Sequence, residues 1–155
     1  MTDARFEDAR ETPLNLGAID ADDLKIIATL VQDAVFPVTE MAWNRAEGRF
    51  ALLLNRFRWE EPVKGHLQPE RVQSVLAVDC TKNVATSGID RHDADLILSI
   101  LTLSFEETDA PSGHLLITLA GDGAIRLAIE AIDVTLKDVT RPYAAPSGHT
   151  PRHED

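Results

Sequence analysis

Two arginines one residue apart, Arg56 and Arg58, stand in the run Asn55-Arg56-Phe57-Arg58-Trp59. Side chains of an extended segment alternate between faces, so both guanidiniums share one face, with Phe57 and Trp59 on the other. Two forked guanidiniums a pleat apart can grip a carboxylate or phosphate bidentately. The competing reading is that both arginines answer acids of the same chain while the aromatics join the core. The run ends a longer basic and aromatic stretch, Met41–Trp59, which holds both tryptophans, Arg45, Arg49, Arg56, Arg58 and one acid, Glu47. Its local charge is +3 within a chain of formal charge −11, so the remaining residues carry −14. Arginine mixed with aromatics is the composition of interface hot spots. Trp43, Arg49, Arg56, Arg58 and Trp59 are therefore the candidate binding residues.

Other constellations are weaker. Asp90, His92, Asp93 and Asp95 offer oxygen and nitrogen donors for a divalent cation, yet the segment lacks the spacing of an EF-hand loop and has no HxxxH or HxxE pair. A capped turn explains it as well. Cys80 follows Asp79, whose carboxylate disfavours a thiolate, although Lys82 opposes that effect. Gly121-Asp122-Gly123-Ala124 lacks the Lys-Ser/Thr of a phosphate loop and reads as a hairpin turn. GxSxG, paired-cysteine and Rossmann signatures are absent, so no catalytic residue, metal ligand or cofactor is assigned.

The elements that must position these residues come from periodicity. Asp20 is a helix N-cap, with Asp22 and Asp23 in the first turn where the helix dipole favours negative charge. Leu24, Ile27, Ala28, Val31 and Val35 follow one helical stripe, and Pro37 stops it. From Val38 the period becomes 2, predicting a hairpin of Val38–Asn44 with Arg49–Trp59. A four-residue loop, Arg45-Ala46-Glu47-Gly48, pairs Trp43 with Phe50 and Met41 with Leu52; a three-residue loop would pair Trp43 with Ala51. Phe50–Leu54 is apolar on both faces and reads as a central strand covered by the helix. Further strands are expected at Val72–Val78, near Val84–Thr86, through Leu101, Leu103 and Phe105, and through Leu115, Ile117 and Leu119, with Asp93 capping one helical turn. In the last hairpin, a Gly121-Asp122-Gly123 loop sets Leu119 against Ile125 and Ile117 against Leu127, with Gly123 left-handed. Ile132, Val134 and Leu136 then change parity, which implies a bulge or corner near Glu130-Ala131. The fold class is α+β: about seven mostly antiparallel strands, curling toward a barrel, with one N-terminal amphipathic helix.

Bulk properties agree with a globular chain. Of 155 residues, 44% are hydrophobic and 26% charged, which fits one domain with its own core. That domain is expected over 14–140, with disordered termini at 1–13 and 141–155. The first residues have no apolar signal-peptide core, no run is long enough to span a bilayer, and the single cysteine suits a reducing compartment. A cytoplasmic location is expected. The acidic balance argues against nucleic acid, since affinity for phosphate backbones comes from lysine and arginine.

The segments Gln32-Asp33-Ala34-Val35, Ala42-Trp43, Arg49-Phe50-Ala51-Leu52, Leu54-Asn55-Arg56-Phe57-Arg58-Trp59, Gly88-Ile89-Asp90-Arg91 and Gly123-Ala124-Ile125-Arg126-Leu127 resemble a bacterial family catalogued as domain of unknown function 2948. The likeness runs from Leu24 to Val139, and Leu54–Trp59 is its most distinctive block; Pro62–Pro69 is less similar. The resemblance implies a bacterial cytoplasmic protein of one domain and brings no activity, cofactor or site residue with it. The expected function is a non-catalytic interaction or regulatory module, binding a protein partner or a second copy of itself through Met41–Trp59. The alternative is a small-anion binder using Arg56 and Arg58.

Overall fold

The computed structural model describes residues 13–58 and 70–141, and the backbone of 143–144. Among them run β1 (Asn15–Ala18), α1 (Ala21–Leu30), β2 (Val35–Pro37), β3 (Met41–Asn44), β4 (Arg49–Phe57), β5 (Glu70–Val78), β6 (Thr81–Ser87), β7 (Ile97–Asp109), β8 (Ser112–Leu119), β9 (Ala124–Ile129), β10 (Val134–Asp138) and β11 (Tyr143–Ala144). The class is α+β, with eleven strands among the described residues rather than about seven. They form one antiparallel sheet in the order β1-β10-β5-β4-β2-β7-β8-β9-β6, with β3 also on β4 and β11 on β5. The sheet ends on the unjoined edges β1 and β6, so it does not close into a barrel. Its inner residues nevertheless share one core with α1.

Helix α1 starts as its sequence dictates: Asp20 Oδ1 accepts the Asp23 N–H at 2.8 Å, satisfying one of the unpaired donors of the first turn. Leu24, Ile27 and Leu30 are buried, and the helix packs on β7 and β1 rather than over β4. It stops at Leu30, earlier than its stripe suggests. Asp33 takes a positive φ of 64°, its N–H bonds to Ile100 O at 2.8 Å, and Val35 enters β2 between β4 and β7. Tertiary pairing thus overrides a helical pattern that Val35 happened to continue.

The first hairpin has the four-residue loop: Trp43 faces Phe50 and Met41 faces Leu52, while Val38–Glu40 forms a 3-10 turn between β2 and β3. On the inner face of β4 the rows read across three strands. Phe50 meets Val78, which meets Val134; Leu52 meets Leu76, which meets Leu136. All six side chains are buried.

The β8–β9 register differs from the expected one by two residues. Ile117 faces Ile125 and Leu115 faces Leu127. Gly121 (φ 82°) and Asp122 (φ 71°) supply the left-handed turn in place of Gly123. A shift of two preserves which face each side chain occupies, so the apolar pattern admits both registers. In β7 the register slips between Ile100 and Thr102, which leaves Leu101 41% exposed while Leu103 stays buried. The segment before it makes turns where one helical turn was expected: Asp90 Oδ1 accepts from His92 N–H, and Asp93 Oδ1 from Asp95 N–H. The expected corner after β9 is present, carrying the chain from β9 beside β8 to β10 beside β5. Beyond residue 140, expected to lack structure, Tyr143–Ala144 still pairs with Arg71 and Glu70.

Candidate functional site

The alternation that buries Phe50, Leu52 and Leu54 continues to Arg56, so its side chain points inward and is 0% exposed. Asp138 continues the inward parity of Val134 and Leu136 on β10, and Ser74 that of Leu76 on β5. The three meet. Arg56 Nη2 donates to Asp138 Oδ1 at 2.8 Å, Arg56 Nε to Ser74 Oγ at 2.9 Å, and Ser74 Oγ to Asp138 Oδ1 at 2.6 Å. The Leu14 N–H donates to Asp138 Oδ2 at 2.9 Å, so both carboxylate oxygens are engaged. Charge-assisted bonds of this kind offset the cost of removing two charges from water.

Arg58 bonds Glu70 Oε2 at 2.9 Å, with its side chain 6% exposed. Arg71 donates to the Asn55 side chain at 2.9 Å and lies 3.9 Å over the Phe57 ring. Arg56 and Arg58 therefore share a face, as alternation requires, but that face is the interior. The expected two-arginine anion grip is corrected to internal ion pairs, because the parity of Phe50, Leu52 and Leu54 carries both side chains inside. Arg49 is exposed but bonded through Nε to Asp79 Oδ1 at 2.8 Å, a contact that raises its pKa further above the ordinary value. Trp59 lies outside the described residues.

Trp43 has a different setting. It is half-buried on β3 and lines a groove of about 240 Å³. The buried side chains of Val38 and Phe50 line it from the core. Met41 and Trp43 stand on one side, Val84 and Thr86 of β6 on the other, and Arg91 reaches it from the loop after β6. Among the described residues β3 pairs only with β4 and β6 only with β9, so each strand keeps an open backbone edge. The turn that joins β3 to β4 meets the start of β6, where the Thr81 N–H bonds Gly48 O at 2.9 Å. The groove is thus a gap in the sheet wall that leads to the core. Sequence reasoning selected Trp43, and Met41 as the start of the basic and aromatic stretch, but missed Val84, Thr86 and Arg91; the half-polar β6 was the signal for an edge strand.

A family model described as "Protein of unknown function (DUF2948)" matches residues 14–153. The chain belongs to the DUF2948 family. No curated protein and no solved structure matches it. In this DUF2948 protein, the Leu54–Trp59 block that carries the resemblance includes the buried Arg56, while Trp43 and Arg91 fall in two other resembling segments. Among the described residues, no group of three or more His, Cys, Asp or Glu side chains is placed to hold a metal ion. Among the described residues, too, no helix is long and apolar enough to cross a membrane.

Proposed function

We propose that this DUF2948 protein is a non-catalytic interaction module of the bacterial cytoplasm that docks a protein partner at the Trp43 groove. The carrying observation is the half-exposed Trp43 beside buried Val38 and Phe50, between the open edges of β3 and β6. Tryptophan and arginine around a desolvated pocket are the usual anchors of interface energy. Size favours the same reading. Pockets for small molecules and cofactors occupy roughly 300–1,000 Å³, whereas about 240 Å³ suits one large apolar side chain of a partner. Open strand edges supply main-chain donors and acceptors that hold an extended segment in place.

The test is affinity capture from native bacterial lysate, followed by reconstitution of each captured protein with purified wild type, Trp43→Ala and Met41→Ala. Loss of a hot-spot residue weakens binding by roughly 30-fold or more. A partner that binds both variants as tightly as wild type refutes docking at this groove. Melting curves establish that each variant is folded at the assay temperature.

A further inference from the structure

We infer that the docked segment is an extended peptide carrying an acidic side chain close to its apolar anchor, with Arg91 as the residue that reads the carboxylate. This rests on the groove being the docking site and adds the chemistry of the partner. Arg91 is exposed, lines the groove, and among the described residues forms no ion pair or side-chain hydrogen bond. It forms none although Asp90, Asp93 and Asp95 lie within four positions of it. Two of these are already engaged locally, Asp90 Oδ1 by the His92 N–H at 3.0 Å and Asp93 Oδ1 by the Asp95 N–H at 3.1 Å. Of the other arginines near the hairpin, Arg49 bonds Asp79, and Arg56 and Arg58 are buried against Asp138 and Glu70; Arg45 is exposed in the β3–β4 turn but does not line the groove. Arg91 is therefore the cation that this wall of the groove keeps for a ligand.

The flanking strands set the conformation. β3 is four residues long, about 13 Å at the rise of an extended chain, so the carboxylate falls within about four residues of the anchor. A guanidinium beside apolar walls holds a carboxylate in forked geometry and repels lysine or arginine at the same place. The chain's formal charge of −11 opposes an acidic partner at long range. At physiological ionic strength that field is screened beyond about 8 Å, while contact at Arg91 persists.

The experiment is selection of a displayed library of random eight-residue peptides on the full chain, in near-physiological salt, with wild type, Arg91→Glu and Trp43→Ala in parallel. Wild type should enrich peptides that combine one large apolar residue with Asp or Glu at a fixed spacing. Arg91→Glu, an exposed change that should leave the melting curve unmoved, should replace that acid by Lys or Arg. It should also weaken the original peptide by about tenfold. Trp43→Ala should enrich none. Apolar anchors without a preferred acid on both wild type and Arg91→Glu would overturn the role of Arg91 and leave groove docking intact. No enrichment over bare support would overturn both. Dimerisation seen by sedimentation and abolished by Arg91→Glu would identify a second copy as the occupant, overturning the peptide partner.

Discussion

Arg56 and Asp138 are 82 residues apart in the chain and 2.8 Å apart in the fold, both sealed from solvent. Through Ser74 and the Leu14 N–H they join β4, β5, β10 and the chain entering β1. This charged cluster of the inner face is therefore a lock across three neighbouring strands.

Removing one partner of this lock leaves the other charged and buried without its opposite charge across the strands. Arg56→Met or Asp138→Leu alone should destabilise by about 3–5 kcal/mol, whereas the double variant should recover most of that loss. Urea denaturation of the four proteins measures the coupling. Charge reversal at Arg56 together with Arg58, which a surface site would tolerate, should instead abolish folding, because it sets two acids against Asp138 and Glu70. Single-variant losses that simply add in the double variant would disprove the coupling.

The lock shows where the sequence was readable and where it was not. Inward parity from Phe50 through Leu54 extends to Arg56, and from Val134 through Leu136 to Asp138, so two opposite charges on inner faces could be found by counting in twos. That they meet depends on β5 lying between β4 and β10, a pairing between strands distant in sequence on which local patterns are silent. The Trp43–Phe50 register was legible because one loop length pairs apolar with apolar. The β8–β9 register was not, since slipping by two leaves every side chain on its face. β1 was missed for being four residues with a glycine, and β2 because Val35 also fits a helical stripe. The groove was illegible for the same reason as the lock: its two walls meet only through the fold.

Inner and outer positions of β4 should respond differently. Leu52 is 0% exposed between Met41 and Leu76, so Leu52→Ala should cost about 2–5 kcal/mol through the cavity it leaves. The adjacent Leu53 is half-buried on the outer face, and Leu53→Ala should cost clearly less. Equal losses in denaturant titrations would contradict the assigned faces.

Gly113 tests close packing in the β7–β8 hairpin. A Cβ there would overlap the Glu106 carbonyl oxygen and approach the Phe105 ring to 2.6 Å. The backbone oxygen belongs to the paired strand and cannot swing aside, so Gly113→Ala must displace the strand or break the pairing. The loss should be on the order of 1–3 kcal/mol, as for an overpacked core. Combining it with Phe105→Leu should restore only the share due to the ring, leaving the carbonyl clash. Full restoration would show that the ring alone requires glycine.

Cys80 gives a pH prediction with a definite sign. It is the single cysteine of the chain, exposed, with a positive φ of 57° in the turn between β5 and β6. Partial desolvation first, then the fields of Asp133, Glu130 and Asp79, raise its pKa above the ordinary thiol value. Less of it is thiolate at neutral pH than in a free cysteine, and the thiolate is the reactive form. Iodoacetamide should therefore modify native Cys80 more slowly than a cysteine peptide at neutral pH, with the rate climbing at higher pH. Asp133→Asn should move that profile toward lower pH. The linked effect on folding has the same origin: the native state holds the thiol proton more tightly than the unfolded chain. This contribution to stability is fully present below the thiol pKa of the unfolded chain and is lost as pH rises through the higher native value. A native profile that coincides with the peptide's, or one unmoved by Asp133→Asn, would show that the neighbouring acids do not govern the thiol.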